Sequence, residues 1–502
     1  MEITILKKKI DLWKVKEFVV FVLGVICLAM TNIFLINGQN EIFQTLKDIQ
    51  YAKAFFMLAA FMFVVQRVRL INWQSLIVSS IYWPFGYMYR ESRAVYGPDI
   101  FNRDKVVVFV VWLFLLIVVD MIVYKKYTPL EKFNKGSMGF FALMTFFLVF
   151  FRNGRNHPIV LLMAFIFYLI PMNLEKWKQV VNWFCYGHLV AFVIMIRRSL
   201  VNNPEVDPNM GRWYGDFLNI GDFGLFLGGV IAVVLYQLYR TKKEKGRKTV
   251  EYIFWMVALA VTVWAVLRVS TITCLIGILF ICLMGFVVVR KNATVLNSLF
   301  RFVSVTVVLV IIGIVGFLAL KGLSNMDLEY WNRQMLEGNV IIKPFANLVA
   351  RAHYMFDETR TFSNSTAFEA GTIINYLDLF TSGRLSIIKV FSEKYNIVGN
   401  PSIGMQVGWY FAYNTHNTYA QTIYDYGYVG GGLYLAFLVY CTVAFAVKFI
   451  KEKQIITVFG CVWMAMLLGV MNGESAFMYF PIIVMTFLVI YPIIVKVEKI
   501  EE

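Results

Sequence analysis

Charged residues are scarce in this chain of 502 residues: they make up 16 % of the sequence, whereas hydrophobic residues make up 59 %. A soluble domain typically carries about 25 % charged residues. Apolar runs recur along the whole chain, and each is about 17–22 residues long, which is the length of a membrane-spanning helix. The runs do not alternate apolar and polar residues, which excludes a transmembrane β-barrel. The composition therefore predicts an all-α polytopic membrane protein.

Cysteine is also scarce, and its six copies all fall within apolar runs. None of them lies in the long polar segment of the second half of the chain. This distribution does not suggest a disulfide framework or a zinc site, and it predicts cysteines that behave as small hydrophobic residues. They are Cys27, Cys185, Cys274, Cys282, Cys441 and Cys461.

The apolar runs predict about 12–14 transmembrane helices. The first run follows Lys7-Lys8-Lys9 but is long for a cleavable signal peptide, so we expect it to remain as an anchor. The predicted helices lie near 18–36, 51–66, 72–89, 105–124, 136–151, 157–173, 178–196, 217–239, 251–267, 270–289, 301–320, 427–447, 455–471 and 476–495.

Lysine and arginine set the predicted orientation of these helices. With the N-terminus in the cytoplasm, the short inner segments hold about 27 of the 47 basic residues, as the positive-inside rule requires. Both termini are then cytoplasmic, and one large extracytoplasmic loop remains. We therefore divide the chain into N-terminal transmembrane helices (1–210), middle transmembrane helices (211–320), the large loop (321–426) and C-terminal transmembrane helices (427–502).

Arginine and lysine are distributed unequally across this topology. About 13 of the 20 outer basic residues are arginine, against about 6 of the 27 inner ones. A loop is kept on the cytoplasmic side by positive charge alone, which lysine supplies. The planar fork of arginine, in contrast, binds phosphate or carboxylate with two hydrogen bonds. The outer face is therefore predicted to recognise an anionic group. The charges lie between apolar runs, which indicates a membrane rather than a nucleic acid as the partner.

His416 is one of only four histidines, and polar residues surround it just before a long apolar run. If the segment is helical, Asn417, Gln421 and Asp425 recur at four-residue spacing and share one face. Polar groups at the mouth of a membrane helix are usually functional. A histidine that is neutral near pH 7 can take the proton from an attacking hydroxyl, so His416 is a candidate general base.

Outer arginines could hold a pyrophosphate and stabilise the charge that grows on it as it leaves. A divalent metal is the usual alternative and needs paired carboxylates. No Asp-x-Asp occurs in the sequence, and Asp327-Leu328-Glu329 is a weak substitute. The arginine-based chemistry without metal or other cofactor is therefore favoured. The outer arginines that are candidates for this role are Arg152, Arg155, Arg212, Arg268 and Arg384.

The histidine segment resembles the signature of the O-antigen ligase and polymerase superfamily. Its matching residues are Thr415-His416-Asn417-Thr418-Tyr419 and Gln421, followed by Gly427 and Gly430. Asp425 stands where that motif often carries glutamate. The arginine motifs are similar too: Arg212-Trp213-Tyr214-Gly215 and Ser382-Gly383-Arg384 resemble two of them. Arg268 falls where members carry Ser-Arg, although Leu267 replaces the serine.

The resemblance implies a GT-C-like membrane glycosyltransferase that is metal-independent and inverting. Such an enzyme polymerises undecaprenyl-pyrophosphate-linked oligosaccharide repeat units of a capsule, exopolysaccharide or O-antigen on the outer face of the cytoplasmic membrane. The resemblance implies His416 as base and Arg212, Arg268 and Arg384 as pyrophosphate contacts, with Asn417 and Gln421 as orienting residues that bind substrate. The implied partners are the lipid-linked donor, a glycan acceptor and membrane lipid, with a flippase and a chain-length regulator of the same pathway as candidates.

Two other functions are compatible with the same residues. An O-antigen ligase that transfers glycan to lipid A core or to a protein uses the same donor and the same chemistry, so these residues do not separate it from a polymerase. A flippase for lipid-linked oligosaccharide also has twelve to fourteen helices. It would be expected to carry charges within a central cavity and to lack a long outer loop. The few charges inside the predicted helices, of which Asp120 and His188 are the clearest, disfavour transport.

Overall fold

The described part of the protein is helical and contains helices that can cross a membrane. The computed structural model describes residues 2–5, 8–37, 135–150, 174–201, 220–244, 249–269, 271–288, 294–338, 342–400 and 404–473, with single residues between 55 and 123 and at 490, 491 and 494. The predicted helices near 51–66, 72–89, 105–124, 157–173 and 476–495 lie wholly or largely outside these residues, as does Arg212.

Helices and two short antiparallel hairpins make up the described chain. The helices are α1 (Leu12–Asn37), α2 (Lys135–Phe150), α3 (Leu174–Val201), α4 (Ile220–Lys243), α5 (Thr249–Val269), α6 (Ile272–Val288), α7 (Val295–Leu323), α8 (Leu328–Glu337), α9 (Ile342–Met355), α10 (Ile373–Phe380), α11 (Arg384–Ser392), α12 (Thr418–Glu452) and α13 (Ile455–Val470). The hairpins pair β1 (Glu2–Ile5) with β2 (Lys8–Asp11) and β3 (Met405–Val407) with β4 (Tyr410–Ala412).

Five of the described helices are long and apolar enough to span a membrane: α3, α4, α5, α7 and α12. Shorter apolar helices lie within α2, α6 and α13. Each of these helices overlaps a predicted apolar run, although α12 begins at Thr418 rather than near 427 and α7 begins at Val295 rather than near 301. The prediction of an all-α polytopic membrane protein is confirmed for this part of the chain. The two hairpins were not predicted. The cysteines are free, and all are buried except Cys282, which lies on the exposed face of α6.

The chain divides into two compact units, one of which contains residues 1–139, 156–198 and 483–502. In this unit α1 packs against α3 through glycines. The backbone at Gly24 lies against the ring of Trp183, and Gly187 lies against Leu28. Phe21 and Tyr186 make an edge-to-face contact at 6.0 Å between ring centres. Small residues allow helices to approach closely in a membrane, where there is no hydrophobic force between them.

The second unit, residues 140–155 and 199–482, contains a bundle of α4, α5, α6, α12 and α13. Glycines again bring the helices together. A side chain at Gly469 of α13 would overlap the backbone of Gly277 in α6, and Gly228 of α4 faces Met466 and Val470 of α13. The three helices therefore pack at close range, and these contacts fix their positions relative to one another along the bundle axis.

One end of this bundle, here called the histidine end, gathers the termini that surround His416. The N-terminal turn of α4 meets the α5–α6 turn, where Gly224 lies against Thr271. The first turn of α6 meets the end of α13, where Thr273 lies against Gly473. The start of α12 is joined to the same place, because the backbone amide of Thr418 donates to the carbonyl of Met471 (2.9 Å).

The opposite end of the bundle is basic. The last turn of α4 carries Arg240, Lys242 and Lys243, and α12 ends near Lys451 and Lys453. Arg240 is joined to Glu251 at the start of α5 (2.6 Å). The histidine end and the basic turns thus lie at opposite ends of the same helices, which is the arrangement that the charge pattern predicts for this segment.

Residues 324–417, here called the loop subdomain, connect α7 to α12 and carry α8–α11 and the β3–β4 hairpin. Its core is a cluster of buried side chains from α11, the hairpin and the first turns of α12. Phe391 and Tyr424 pack edge to face at 4.8 Å, and α11 lies against α12 and β3. The core members are Ile387, Phe391, Val407, Ala412 and Tyr424.

Helix α12 breaks sharply at Gly427, whose φ of 70° and ψ of 179° are not helical. The break leaves backbone amides and carbonyls on both sides without helical hydrogen-bond partners. The segment 396–400 of the loop subdomain supplies partners for them. The carbonyl of Tyr424 accepts from the amide of Asn400 (2.8 Å), and the amide of Tyr428 donates to the carbonyl of Asn396 (2.9 Å). The first turns of α12 therefore pack with the loop subdomain, and the apolar remainder of the helix begins after Gly427.

Candidate functional site

The backbone of His416 has the left-handed conformation, with φ at 47°. This conformation is uncommon for residues other than glycine, although asparagine, aspartate and histidine adopt it more readily than most. The side chain of Asn414 stabilises the turn, since its Oδ1 accepts from the amide of His416 (2.8 Å). The residue is half-buried. The turn therefore holds His416 at the start of α12 in a defined orientation.

Asn417 follows as the N-cap of α12. Its Oδ1 accepts from the amide of Ala420 (3.0 Å), which satisfies one of the free amides of the first helical turn. Its Nδ2 donates to the carbonyl of Asn472 (3.2 Å), beyond the end of α13. The side chain thus joins α12 to the end of α13, and the role of Asn417 in orienting His416 stays a prediction.

Gln421 is buried, and both ends of its side-chain amide are bonded within the protein. Its Oε1 accepts from the amide of Thr415 (2.8 Å), and its Nε2 donates to Oδ1 of Asp425 (3.0 Å). Gln421 and Asp425 therefore share one helical face, as their spacing predicts. Asn417 lies at the cap, just before that helix. Gln421 stabilises the turn that precedes His416, and its contact with substrate stays a prediction.

Arg268 lies in the last turn of α5, at the same histidine end of the bundle. Its guanidinium lies 5.8 Å from the ring centre of Trp264. Its Nε is buried and has no hydrogen-bond partner among the described residues. A buried donor without a partner is costly, and a bound anion would satisfy it. Arg240 and Arg301 also carry a buried nitrogen without such a partner, but of these three arginines Arg268 alone is a predicted phosphate contact and lies at the histidine end.

Arg384 is the first residue of α11, and it follows Gly383 in a left-handed turn (φ 81°). The start of α11 is held by Asp378, which is fully buried. The amide and the hydroxyl of Ser386 both donate to its carboxylate (2.9 and 2.5 Å). Burial raises the pKa of Asp378, and the two hydrogen bonds from Ser386 oppose that rise. Asp378 thus already accepts from the amide and the hydroxyl of Ser386. A phosphate bound at this helix start would therefore depend on the side chain of Arg384.

Four of the six predicted site residues belong to two turns of the second unit: Asn417, His416 and Gln421 at the start of α12, and Arg268 at the end of α5. Arg384 begins the helix that packs against α12. Arg212 lies outside the described residues. In the described part of the chain, no three side chains of histidine, cysteine, aspartate or glutamate gather in a way that could hold a metal ion.

Sequence reasoning missed the residues that position this site from a distance. Asp378 holds the start of α11, and Gly399 lies against the Asp425 carbonyl with no room for a side chain. The hydroxyl of Tyr395 donates to the carbonyl of Ala420 (3.2 Å), and burial raises the pKa of Tyr395 to about 12. A turn signal at Gly399-Asn400-Pro401 was present in the sequence, but nothing there showed that the turn meets α12.

A scan against protein-family models and a comparison with curated proteins both found no match for this chain.

Proposed function

We propose that this protein is a membrane glycosyltransferase that polymerises lipid-pyrophosphate-linked oligosaccharide units. The observation that carries the proposal is the presence of two features at the histidine end. One is a histidine in a left-handed turn that Asn414 and Asn417 stabilise. The other is Arg268, whose buried Nε has no partner among the described residues. A base and an anion-binding group at one end of a membrane bundle suit transfer from a lipid phosphate.

In the proposed step, the acceptor hydroxyl oxygen forms a bond to the anomeric carbon of the donor sugar. The bond from that carbon to the pyrophosphate oxygen breaks on the opposite face, so the configuration inverts. His416 accepts the hydroxyl proton, and the electron pair of the broken bond stays on the pyrophosphate. Arg268 and Arg384 balance the negative charge that develops there. Asn417 and Gln421 hold the turn that carries the base.

The proposal is tested by replacing His416 in two ways. Alanine removes the ring, and asparagine also removes the base but tolerates the left-handed backbone. We expect both variants to insert at normal levels, to make no polymer and to accumulate the lipid-linked single unit. Trp409→Ala is the control, because Trp409 is 72 % exposed in the turn of the β3–β4 hairpin. Gel analysis of the polymer and mass spectrometry of lipid extracts provide the measurements.

Polymer of normal length from the His416→Asn protein would overturn the assignment of the base. A deletion strain that makes normal polymer but lacks glycan on its final acceptor would instead identify a ligase, since only the acceptor differs. The same reaction run in vesicles with a metal chelator should keep its rate. A strict requirement for added Mg²⁺ would contradict charge stabilisation by arginine alone.

A further inference from the structure

The loop subdomain contains a cleft of about 800 Å³ that is separate from the turn of His416. Its walls come from α8, α9, the turn before α8, and the segments around Asp357 and Ser382. The volume lies within the range of about 300–1,000 Å³ that is common for ligand sites. It is therefore large enough to hold several sugar rings.

Aromatic rings and side-chain amides line this cleft together. Tyr354 and Phe362 supply rings, and Asn325 and Asn332 supply amides. An amide offers one acceptor and two donors, which matches neighbouring sugar hydroxyls that donate and accept at once. An aromatic face packs against the C–H face of a pyranose, because the ring carries a negative face and the C–H bonds are weakly positive. The lining thus suits a hydroxylated ring better than an acyl chain.

The charged groups of the cleft are held in place and partly offset. Arg360 forms an ion pair with Asp357 (2.7 Å), and its guanidinium lies 5.5 Å from the ring centre of Tyr354. A hydrogen bond from the Thr359 hydroxyl lowers the pKa of Asp357, which keeps this carboxylate ionised. Arg351 donates to the carbonyl of Phe380 (3.1 Å). These groups are preorganised to exchange hydrogen bonds with a ligand of low charge.

The cleft also adjoins the candidate phosphate position at Arg384. Ser382 lines the cleft, and Arg384 begins α11 two residues further on. The intervening Gly383 lies against the ring of Phe362, which lines the cleft too, and any side chain there would overlap that ring. A glycan whose pyrophosphate lay beside Arg384 would therefore have the cleft next to it.

We infer that this cleft binds the saccharide of the lipid-linked donor, at sugar rings beyond the one bonded to pyrophosphate. The inference rests on the proposed function. It adds a recognition site remote from the reacting bond. In this site Tyr354 stacks on a sugar ring, and Asn332 forms hydrogen bonds with sugar hydroxyls. Such a site would make the protein discriminate between a complete repeat unit and a shorter lipid-linked sugar.

The test uses full-length protein in lipid nanodiscs and the double variant Asn332→Ala/Tyr354→Ala. The donors are the complete lipid-linked unit from His416→Ala cells and the same lipid trimmed by glycosidases to its first sugar. We expect kcat/KM for the complete donor to fall at least about tenfold, while the trimmed donor changes less than about twofold. Tyr330→Ala is the matched control, because Tyr330 is exposed on α8 and does not line the cleft. Tyr354→Phe keeps the ring and should stay near wild type.

A second arm does not depend on catalysis. The oligosaccharide released by mild acid from lipid extracts is added to His416→Ala protein, and saturation-transfer NMR measures binding. We expect the signal to vanish in His416→Ala/Asn332→Ala/Tyr354→Ala. If the cleft variants match wild type in the kinetic arm and His416→Ala in the binding arm, the cleft does not bind the saccharide, and the proposed transferase activity is unaffected. If the cleft variants change kcat/KM only when the acceptor concentration is varied, the cleft does not bind the donor saccharide. Inactive wild-type protein would overturn the proposed function instead.

Discussion

The backbone amide of Thr415 donates to the buried side-chain oxygen of Gln421 at 2.8 Å. Through this bond the first helical turns of α12 hold the residue that directly precedes His416. Asp425 completes the arrangement by accepting from Nε2 of Gln421, which fixes which end of the amide faces Thr415. Gln421 therefore acts on the candidate base through the backbone.

Gln421→Leu should weaken this turn. The substitution leaves the Thr415 amide without its acceptor in a buried site, which typically costs about 1–3 kcal/mol of stability. We expect a lower Tm and a reduced kcat with KM little changed, because the base is misplaced while the proposed arginine contacts to the donor are kept. Gln406→Leu is the control, since Gln406 is exposed on β3. Equal kcat in the two variants would contradict the positioning role.

Gly427→Ala should disrupt the break in α12. The backbone at this position lies in a region that is essentially restricted to glycine, and an added Cβ would overlap the carbonyl of Ile397. We expect a loss of about 1–3 kcal/mol or more and a large drop in folded yield. Gly432→Ala in the same helix meets nothing within 4 Å, so it should be neutral or slightly stabilising. Size-exclusion profiles and Tm values measure the difference, and similar profiles would refute the account.

The helices of this protein were predictable because a membrane sets their length. The runs near 217–239, 251–267 and 455–471 correspond to α4, α5 and α13 within a few residues at each end. The basic residues at the C-terminal ends of α4 and α12 were also visible in the sequence. The break at Gly427 was not, because it depends on the segment 396–400, which supplies the hydrogen bonds that the broken helix lacks.

The candidate site was predictable where its residues are neighbours in the chain. Four-residue spacing placed Gln421 and Asp425 on one face, and their hydrogen bond confirms it. The cap at Asn417 was misjudged as part of that face, although asparagine before a helix is a common N-cap. The cleft beside Ser382 could not be predicted, because its walls come from segments whose packing no local pattern records.

Asp378 should make stability depend on pH. Burial raises its pKa in the folded protein, so the folded state holds this proton more tightly than the unfolded chain. The resulting stability is present at low pH and is lost as the pH rises through the raised pKa. Asp378→Asn keeps partners for Ser386 but does not titrate. We expect the Tm of wild type to rise relative to that of Asp378→Asn as the pH falls from 7 toward 3.8, the ordinary pKa of aspartate. Parallel Tm curves would contradict this.

Arg268→Lys should impair transfer although the charge is retained. Lysine is a point charge on a flexible stem, and it replaces neither the planar fork nor the buried Nε donor of Arg268. We expect kcat/KM for the lipid-linked donor to fall at least about tenfold, with normal insertion and Tm. Arg333→Lys, at an exposed position on α8, is the matched control and should behave as wild type. If Arg268→Lys retains full activity across donor concentrations, Arg268 does not hold the pyrophosphate through its fork.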